Sequence, residues 1–442
     1  MIWSALKETM RTAPSEKPLT LCNLRAPQEV VPQTLRDTVA DGLCAVDISI
    51  AKGAIVRIAP AGQGEKDGID MRQRIVWPVT VDCHTHIDKG QVWPRSPNPD
   101  GTFIGAINAS GADFEIHQTP QDVTARANFA LRSAYAHGTA LLRTHVDTHP
   151  ETFDVRFGVL TELAQDWAGR IDVQLCPFTG VLDDPDWLKR LARAAKAQAT
   201  PVLSFFLQAG PELDAGLDQI FRTALTQGIG LDFHADENLD PNSSCLEAIA
   251  RAALHYGYDQ TILVGHCSSL SVQTEAQVAR TLDLVSKTQI GIVALPLCNL
   301  YLQDRRAGIS PRQRGVAPLK DIRARGIPVA IGSDNTRDAF YAYGDLDVPD
   351  LFRDAMRMMQ LDHPVGDWPA AVTTTAADMI GQSDTARLRV GGPADLILFA
   401  ARNWSEFAAR PQHDRVVIRD GRFIDTTPPD FSDLDSLQGM AP

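Results

Sequence analysis

The sequence predicts an α/β fold: a (β/α)8 barrel of the TIM type, together with a small β-sandwich domain formed from both ends of the chain. Through the middle of its 442 residues, eight apolar strand-like runs alternate with amphipathic segments rich in Ala, Leu and Arg. Strand followed by helix, repeated eight times, favours a parallel barrel over an open sheet. Short runs in which apolar and polar residues alternate, separated by turn residues, flank this region on both sides. Because either group of strands alone would be marginally stable, we expect them to pair in one small domain.

The two ends of the chain each carry a hairpin signal. Residues 1–77 are predicted to form an N-terminal tail and part of the small β-domain, where "DISIAKGAIVRI" places Lys52 and Gly53 between two alternating runs. Residues 385–442 are predicted to supply the remainder of that domain and a C-terminal tail. In this part Asp420 and Gly421 form the second predicted turn.

The barrel is predicted over residues 78–384. Its strand-like runs, the first of which begins a few residues earlier, are in order "RIVWPVTVD", "TALLRTHVD", "IDVQLCPF", "PVLSFFLQ", "IGLDFHAD", "TILVGHC", "IGIVALPL" and "IPVAIGSD". Several of the helical segments between them end in Gly, which is frequent at helix C-caps. Polar residues follow the runs at their carboxyl ends, where barrel active sites lie.

Composition and charge exclude several classes of partner. The formal net charge is −13, without a basic block, so we expect neither nucleic acid nor an anionic membrane as a partner but a small-molecule substrate. No run approaches the roughly 20 apolar residues that span a bilayer, and the N-terminus lacks a secretory pattern. The seven cysteines are scattered, without a CxxC pair. We therefore expect a cytoplasmic protein with reduced thiols.

Histidines at strand ends form a candidate metal site. His84 and His86 lie one residue apart at the end of the first run, and side chains at i and i+2 share a strand face, so both imidazoles can point at one ion. His234 ends the fifth run, His266 the sixth and Asp334 the eighth. The pair alone is weak evidence, because histidines at exposed strand ends are common. Together these side chains suit a divalent transition metal with an open position for water.

Three further acidic or imidazole groups lie near this set. Glu237, in "HADE" just past the fifth run, is either a carboxylate that exchanges protons with substrate and water or a solvated loop acid. Asp334 could instead cap a following helix, although Asn335 could take that role. His145 and Asp147 end the second run, and we interpret them as partners of the ligands or as packing at the barrel mouth.

Two absences narrow the type of site. The fourth run, "PVLSFFLQAG", contains no Lys that could be carboxylated and bridge two metal ions, so one ion is expected. The chain also lacks H-x-E followed by P-C-x-x-C, the signature of the small zinc-dependent nucleobase deaminases. Any deamination must therefore use the barrel scaffold.

The ordered motifs resemble those of the amidohydrolase superfamily, and within it the cytosine deaminase branch. They are "HTHIDKG", "RTHVD", "HADE", "GHCSS", "LCNLYLQDR" and "GSDNTRDAF", after strands one, two, five, six, seven and eight. The resemblance implies a barrel of the amidohydrolase type and one divalent transition metal ion, Fe(II) or Zn(II), with the ligands His84, His86, His234 and Asp334. It implies that Glu237 protonates the substrate ring and that His266 orients the attacking water or carries its proton. It also implies a homo-oligomer, because barrels of this branch are often oligomeric.

The resemblance implies a metal-dependent hydrolytic deaminase that releases ammonia from an amino-substituted nitrogen heterocycle, cytosine or a cytosine-like base. In this reaction Asp334 accepts the proton of water, and Glu237 delivers a proton to a ring nitrogen. Most of the proton-transfer machinery of the branch is therefore expected to be present.

Two departures concern the substrate. Cytosine deaminases carry a Gln just after the third strand, where this chain has "CPFTG". After the eighth strand they carry an Asp-Asp pair and a later Trp, and this chain has Asp334-Asn335 and Phe340 at those positions. The form "SDNTRD" is closer to relatives that hydrolyse aminotriazines, although these lack the glutamate retained as Glu237. The alternatives are therefore release of an alkylamine from an aminotriazine-like ring, or opening of a cyclic amide. A catalytically silent barrel scaffold is the non-enzyme alternative.

The predicted substrate pocket consists of aromatic and amide side chains. Phe340, Asn335 and Gln303 are expected to contact the ring, with Trp93 and Phe103 as lids in the loop after the first strand. A flat ring stacks on aromatic side chains, and amides supply donors and acceptors for its edge. Ordinary packing is the alternative for the aromatic residues.

Overall fold

The computed structural model describes residues 3, 6, 8, 18–63, 68–117 and 119–439. The predicted N-terminal tail lies mostly outside the described residues, as do the last three residues of the C-terminal tail. The strands are β1 (Leu19–Pro27), β2 (Thr38–Ala40), β3 (Leu43–Ala51), β4 (Ala54–Pro60), β5 (Ile69–Asp70), β6 (Val76–Pro78), β7 (Thr80–Thr85), β8 (Thr139–Asp147), β9 (Asp172–Thr179), β10 (Val202–Phe206), β11 (Gly230–Ala235), β12 (Ile262–His266), β13 (Ile290–Ala294), β14 (Val329–Ile331), β15 (Leu396–Leu398), β16 (Val416–Arg419) and β17 (Arg422–Phe423).

The α-helices alternate with the middle strands. They are α1 (Phe103–His117), α2 (Pro120–His137), α3 (Phe153–Trp167), α4 (Pro185–Lys196), α5 (Leu213–Gln227), α6 (Cys245–Tyr256), α7 (Glu275–Val285), α8 (Pro296–Leu302), α9 (Leu319–Ala324), α10 (Val348–Met358), α11 (Thr374–Met379), α12 (Trp404–Ala409) and α13 (Asp435–Gln438). Among the helices described, none has the length and apolar character needed to cross a membrane.

Strands β7 to β14 form an eight-stranded parallel sheet in chain order. A parallel bridge between Thr85 and Asp334 joins its first and last edges, so the sheet curls into a nearly closed barrel. All eight predicted runs contribute a strand, and the predicted fold class is confirmed. Because the strands are parallel, their carboxyl ends meet at one rim, and the polar strand ends converge there.

The first apolar run is divided between two sheets. Its first part forms β6, which pairs antiparallel with β15, and its second part forms the barrel strand β7. Pro78 ends β6 opposite Leu396, at the edge of a four-stranded sheet. A proline lacks the N–H that a central strand would need, so the edge position suits it. One run therefore connects the small domain to the barrel.

The small domain is a sandwich of two sheets. The first has the order β2-β3-β1-β5, with β4 paired to β3, and the second has the order β17-β16-β15-β6. Apolar side chains from the two sheets pack in one core, among them Leu21, Ile48, Leu396 and Ile418. Both chain ends contribute to the domain, as the sequence predicts. Its boundaries with the barrel stay predictions.

Both predicted hairpins form with two-residue turns. Lys52 and Gly53, between β3 and β4, have φ of 51° and 81°; Asp420 and Gly421, between β16 and β17, have φ of 48° and 69°. Positive φ at both central positions gives the twist that matches the flanking strands.

A layer of buried polar side chains lies inside the barrel beneath the strand ends. Arg143 Nη1 is 3.1 Å from Asp232 Oδ2, and the same guanidinium donates to Gln174 Oε1 at 3.0 and 2.9 Å. Arg143 and Asp232 are fully buried, and burial raises the pKa of Asp232 to about 7 despite the opposing charge of Arg143. The ion pair is thus enclosed by protein at the centre of the barrel.

Replacing Arg143 with Met is expected to lower the free energy of unfolding by about 3–5 kcal/mol, because the substitution leaves the Asp232 carboxylate buried without its cation. The double variant R143M/D232N should lose less, since it has no unpaired charge. Lys189→Met, which breaks the exposed pair with Asp186, should change stability by less than about 1 kcal/mol. Urea unfolding of the three variants measures these differences. Equal losses in R143M and K189M would contradict the expectation.

Candidate active site

Three imidazoles converge at the rim of the barrel. His84 lies on β7, His86 directly follows it, and His234 lies on β11. The Nε2 atom of His234 is 3.1 Å from the Nε2 atoms of both His84 and His86. Asp334 Oδ1 is 3.7 Å from His84 Nε2 and 3.4 Å from His86 Nε2. All four side chains are buried, and their potential ligand atoms face one small volume.

The chemistry of this donor set fits a divalent metal ion. Within the described part of the chain, neither oxygen of Asp334 has a hydrogen-bond partner, and the same holds for the Nδ1 atoms of the three imidazoles. Burial, followed by the neighbouring positive groups, holds the pKa of each of these histidines well below its usual range. Neutral imidazoles and a carboxylate are the forms that bind metal. A cation between the three Nε2 atoms and Asp334 would pair with the Asp334 oxygens, which are otherwise costly to bury.

Local backbone features bring these groups together. Asp334 and His266 have φ of 63° and 68°, a left-handed conformation that costs non-glycine residues about 1–3 kcal/mol and turns their side chains away from the regular strand direction. Two glycines make room for His84. A Cβ on Gly265 would lie 2.9 Å from His84 Cε1, and a Cβ on Gly332 would lie 2.9 Å from His84 Cβ. Any larger residue at these positions would displace the imidazole.

Glu237 and His266 form a second polar pair beside the imidazoles. Glu237 Oε1 is 3.4 Å from His266 Nδ1, and Asn299 Nδ2 donates to the same nitrogen at 3.0 Å. Because Nδ1 accepts a hydrogen bond, the neutral His266 ring carries its proton on Nε2, which has no partner among the described residues. Burial, together with the charge of Asp334, holds the pKa of the Glu237 carboxyl well above its usual range. Glu237 can therefore hold a proton, and His266 can donate one from Nε2.

An aromatic cavity of about 310 Å³ opens over these groups. His86, Glu237 and Asp334 contribute to its floor, and its wall contains five phenylalanines: Phe103, Phe114, Phe178, Phe206 and Phe340. The Phe103 ring stacks on Phe206 with centroids 6.1 Å apart and meets Phe340 edge-on at 5.9 Å. Helix α1 lies along one side of the opening. The cavity suits a flat ring, because aromatic walls stack on such rings and exclude water.

Comparisons with known proteins identify the family of the chain. An amidohydrolase family model matches residues 187–425. A pterin deaminase from Rhizobium rhizogenes is 46% identical over 405 residues, which cover 90% of this chain and 92% of the relative. The chain belongs to the amidohydrolase family. An N-isopropylammelide isopropyl amidohydrolase from a Pseudomonas species is 22% identical over 391 residues, 86% of this amidohydrolase and 93% of the relative.

Solved structures of amidohydrolases share the fold. A 5-methylcytosine deaminase from Klebsiella pneumoniae has a TM-score of 0.78 at 23% identity, covering 93% of this chain and 98% of that one. At this identity the likeness concerns the fold alone. The predicted family is confirmed, and the predicted function is confirmed as that of a metal-dependent hydrolytic deaminase acting on a heterocycle. Cytosine as that heterocycle is not confirmed.

In this amidohydrolase, three of the five predicted substrate contacts line the cavity: Phe340, Asn335 and Phe103. Trp93 and Gln303 are outside its described lining. The Trp93 backbone N–H donates to Arg337 O at 2.8 Å, which joins the loop after β7 to the loop after β14. The Gln303 side chain donates to Glu237 O at 3.2 Å. Both residues thus hold loops of the site, and their predicted contact with substrate is not supported by their positions.

The alternative role of Asp334 as a helix cap is wrong. Among the described residues, no helix begins directly after it, and the next one, α10, is capped by Asp347, whose side chain accepts from Asp350 N at 3.1 Å. Asn335 does not cap a helix either, because its Nδ2 donates to Asp338 Oδ2 at 2.7 Å. Asp334 is therefore free to act at the imidazole cluster.

Sequence reasoning missed several residues of the cavity. Phe178 and Phe206 lie at the ends of β9 and β10, and His149 and Lys89 also line the opening. Their position at strand ends is the signal that could have found the two phenylalanines. His149 lies at the cavity with its ring centroid 4.6 Å from that of Phe114.

His145 lies just behind the imidazole cluster. Its Nδ1 is 2.8 Å from Ser204 Oγ, and its ring centroid is 4.1 Å from that of His84. It therefore packs against a proposed ligand, in agreement with the interpretation of His145 as a partner of the ligands. Asp147, at the end of the same strand, lines the opening of the cavity.

Proposed function

We propose that this amidohydrolase removes the amino group of a pterin-type ring, a fused 2-amino-4-oxopyrimidine, and releases it as ammonia. The 46% identical pterin deaminase, which aligns with 90% of this chain, supports the choice of ring. One Fe(II) or Zn(II) ion is the proposed cofactor, with the ligands His84, His86, His234 and Asp334. The observation that carries the proposal is a buried acid, Glu237, placed beside a metal-ligand set at the floor of an aromatic cavity.

Different side chains of the site carry out the separate proton transfers of the reaction. When bound, the metal supplies a Lewis acid that makes water a nucleophile near neutral pH. Asp334 accepts the proton of that water on its carboxylate, and His266 orients the water with the proton on Nε2. Glu237 delivers its carboxyl proton to the ring nitrogen beside the amine-bearing carbon. A carbon–oxygen bond forms, the carbon–nitrogen bond breaks, and the amine leaves as ammonia with the proton that Asp334 took from water. The remaining hydroxyl proton returns to Glu237 as the ring carbonyl forms.

The third strand favours a pterin-type ring over cytosine. Cytosine deaminases carry a Gln that hydrogen-bonds the substrate at a position that lies in "CPFTG" of this chain. Phe178 of this segment lines the cavity, with its ring centroid 4.4 Å from that of His234. An aromatic wall provides stacking area in place of hydrogen bonds to a single pyrimidine edge. A fused ring has the larger face to cover that wall.

An ammonia-release assay on metal-loaded protein tests the proposal. The substrates are pterin, cytosine, isocytosine and an N-alkylaminotriazine, and a chelator-treated sample is the control. We expect kcat/KM for pterin to exceed the others by about 10-fold or more, because unmatched polar groups in a site reject the wrong ring. Equal or faster release from cytosine, or release of alkylamine from the triazine as the main activity, would contradict the proposal. A sample without bound metal and without turnover would instead favour the scaffold alternative.

A further inference from the structure

Lys89 places an ammonium group at the aromatic cavity. It lies three residues past His86, in the loop after β7, and only 11% of its side chain is exposed. Its Nζ is 3.2 Å from each carboxylate oxygen of Asp147, at the end of β8, and 4.8 Å from the ring centroid of Phe340. No other Lys or Arg is among the described residues that line this cavity. The cavity thus contains one positive group among aromatic and acidic ones.

The surroundings keep this ammonium charged. Burial alone would lower the pKa of Lys89, but the carboxylates of Asp147, Asp88 and Asp338 outweigh burial, and the pKa is raised. Asp88 is itself fixed, because its Oδ2 accepts from Asp147 N at 2.9 Å. The position of the ammonium is therefore set by two neighbouring strand ends, β7 and β8, and it does not depend on a flexible surface partner.

The hydrogen bonds of Lys89 leave a donor for a ligand. An ammonium group has three N–H donors and no acceptor. Within the described part of the chain, Asp147 is the only hydrogen-bond acceptor of Nζ, and Nζ also lies over the rings of Phe340 and Phe178, 4.8 and 5.8 Å from their centroids. An aromatic face attracts a cation but does not replace a hydrogen-bond acceptor. A ligand in the cavity can therefore supply an oxygen to the remaining donor.

We propose that Lys89 is a specificity-determining residue that donates a hydrogen bond to the exocyclic carbonyl oxygen of the ring being deaminated. The inference rests on the proposed function and adds a residue that recognises the oxo group of the substrate. A group that only donates hydrogen bonds can bind a carbonyl oxygen, which accepts them. It disfavours an amino group at the same position. The amine to be removed and the carbonyl to be kept are thereby distinguished: Glu237 and the imidazole cluster act at one edge of the ring, and Lys89 at another.

Two ligands that differ at this one position test the inference. Metal-loaded wild type and Lys89→Met are compared for kcat/KM with pterin, which has the 4-oxo group, and for Ki with 2,4-diaminopteridine, which has an amino group there. We expect kcat/KM for pterin to fall about 10- to 100-fold in the variant, mainly through KM, as for a lost hydrogen bond to a charged group. Ki for the diamino compound should change by less than about threefold, because its amino group gains nothing from an ammonium donor.

Controls separate this role from a structural one. Lys89→Met leaves the Asp147 carboxylate without its cation, so the double variant K89M/D147N should show the same loss of discrimination with wild-type thermal stability. Lys287→Met, at an exposed lysine, should change neither constant. Lys89→Arg should recover part of the preference for pterin, because the charge and donors are retained.

Two results would overturn the inference. They are an unchanged kcat/KM for pterin in K89M, and equal losses for both ligands. Failure of the proposed function has a different signature, because it shows in the wild type as absence of ammonia from pterin. In that case the proposed role of Lys89 is also wrong.

Discussion

Replacing Glu237 with Gln is expected to lower kcat for ammonia release about 10²- to 10⁴-fold, the range that a positioned proton-transfer group contributes. Gln has nearly the same shape as Glu but cannot deliver a carboxyl proton to a ring nitrogen. The variant should still bind one metal ion per chain, because Glu237 lies beside His266 and outside the four proposed ligands. Its KM should change much less than its kcat, since the lost interaction belongs to the transition state.

Steady-state ammonia release and metal analysis of the same preparation measure both expectations. Glu162→Gln is the matched control, because Glu162 is exposed on α3, and it should keep wild-type kcat. Full activity in E237Q would show that the ring nitrogen receives its proton elsewhere. Loss of metal together with activity would instead place Glu237 among the ligands.

Replacing His234 with Ala is expected to weaken metal binding by more than about 100-fold, since removal of a residue that merely supports a ligand already costs up to about that factor. His234 is the central group of the cluster, with its Nε2 atom 3.1 Å from two other imidazole nitrogens. Activity should fall to background with the metal. The rise in melting temperature that metal gives the wild type should also disappear, because an ion that binds the folded state stabilises it by mass action.

Competition with a metal-sensitive dye measures the affinity, and thermal unfolding with and without metal measures the stabilisation. His255→Ala, at an exposed residue of α6, is the control and should bind metal as the wild type does. Wild-type affinity in H234A would contradict the proposed ligand set.

Much of the fold could be predicted from the sequence because parallel barrel strands are buried on both faces and so appear as continuous apolar runs. The division of the first run was harder to see. Val76–Pro78 and Thr80–Thr85 are both fully buried, and only the pairing of β6 with β15, more than 300 residues later, assigns them to different sheets. The local sequence pattern does not indicate which distant strand a run pairs with.

The strand-end groups of the site were predictable for a similar reason. His84, His234 and Asp334 end three different runs, and the carboxyl ends of parallel strands share one rim. The periodicity of the strands therefore determines which polar side chains can meet. Their mutual distances follow from the closure of the barrel and required no information about loops.

Residues in loops were less predictable. Trp93 was expected over the ring, but backbone hydrogen bonds to Arg337 direct its loop elsewhere. Lys89 was overlooked, because its significance depends on the pairing with Asp147, 58 residues away. Loop conformation is decided by such distant contacts, which alternation and spacing do not encode.

The proposed reaction replaces a ring amine by an oxygen atom from water. Reaction of metal-loaded protein with pterin in H2(18)O, followed by mass spectrometry of the product and assay of ammonia, tests this claim directly. We expect one ammonia per ring and one 18O atom in each product molecule, at the carbon that carried the amine. Product without 18O, or a product that retains the amine nitrogen in an opened ring, would contradict it.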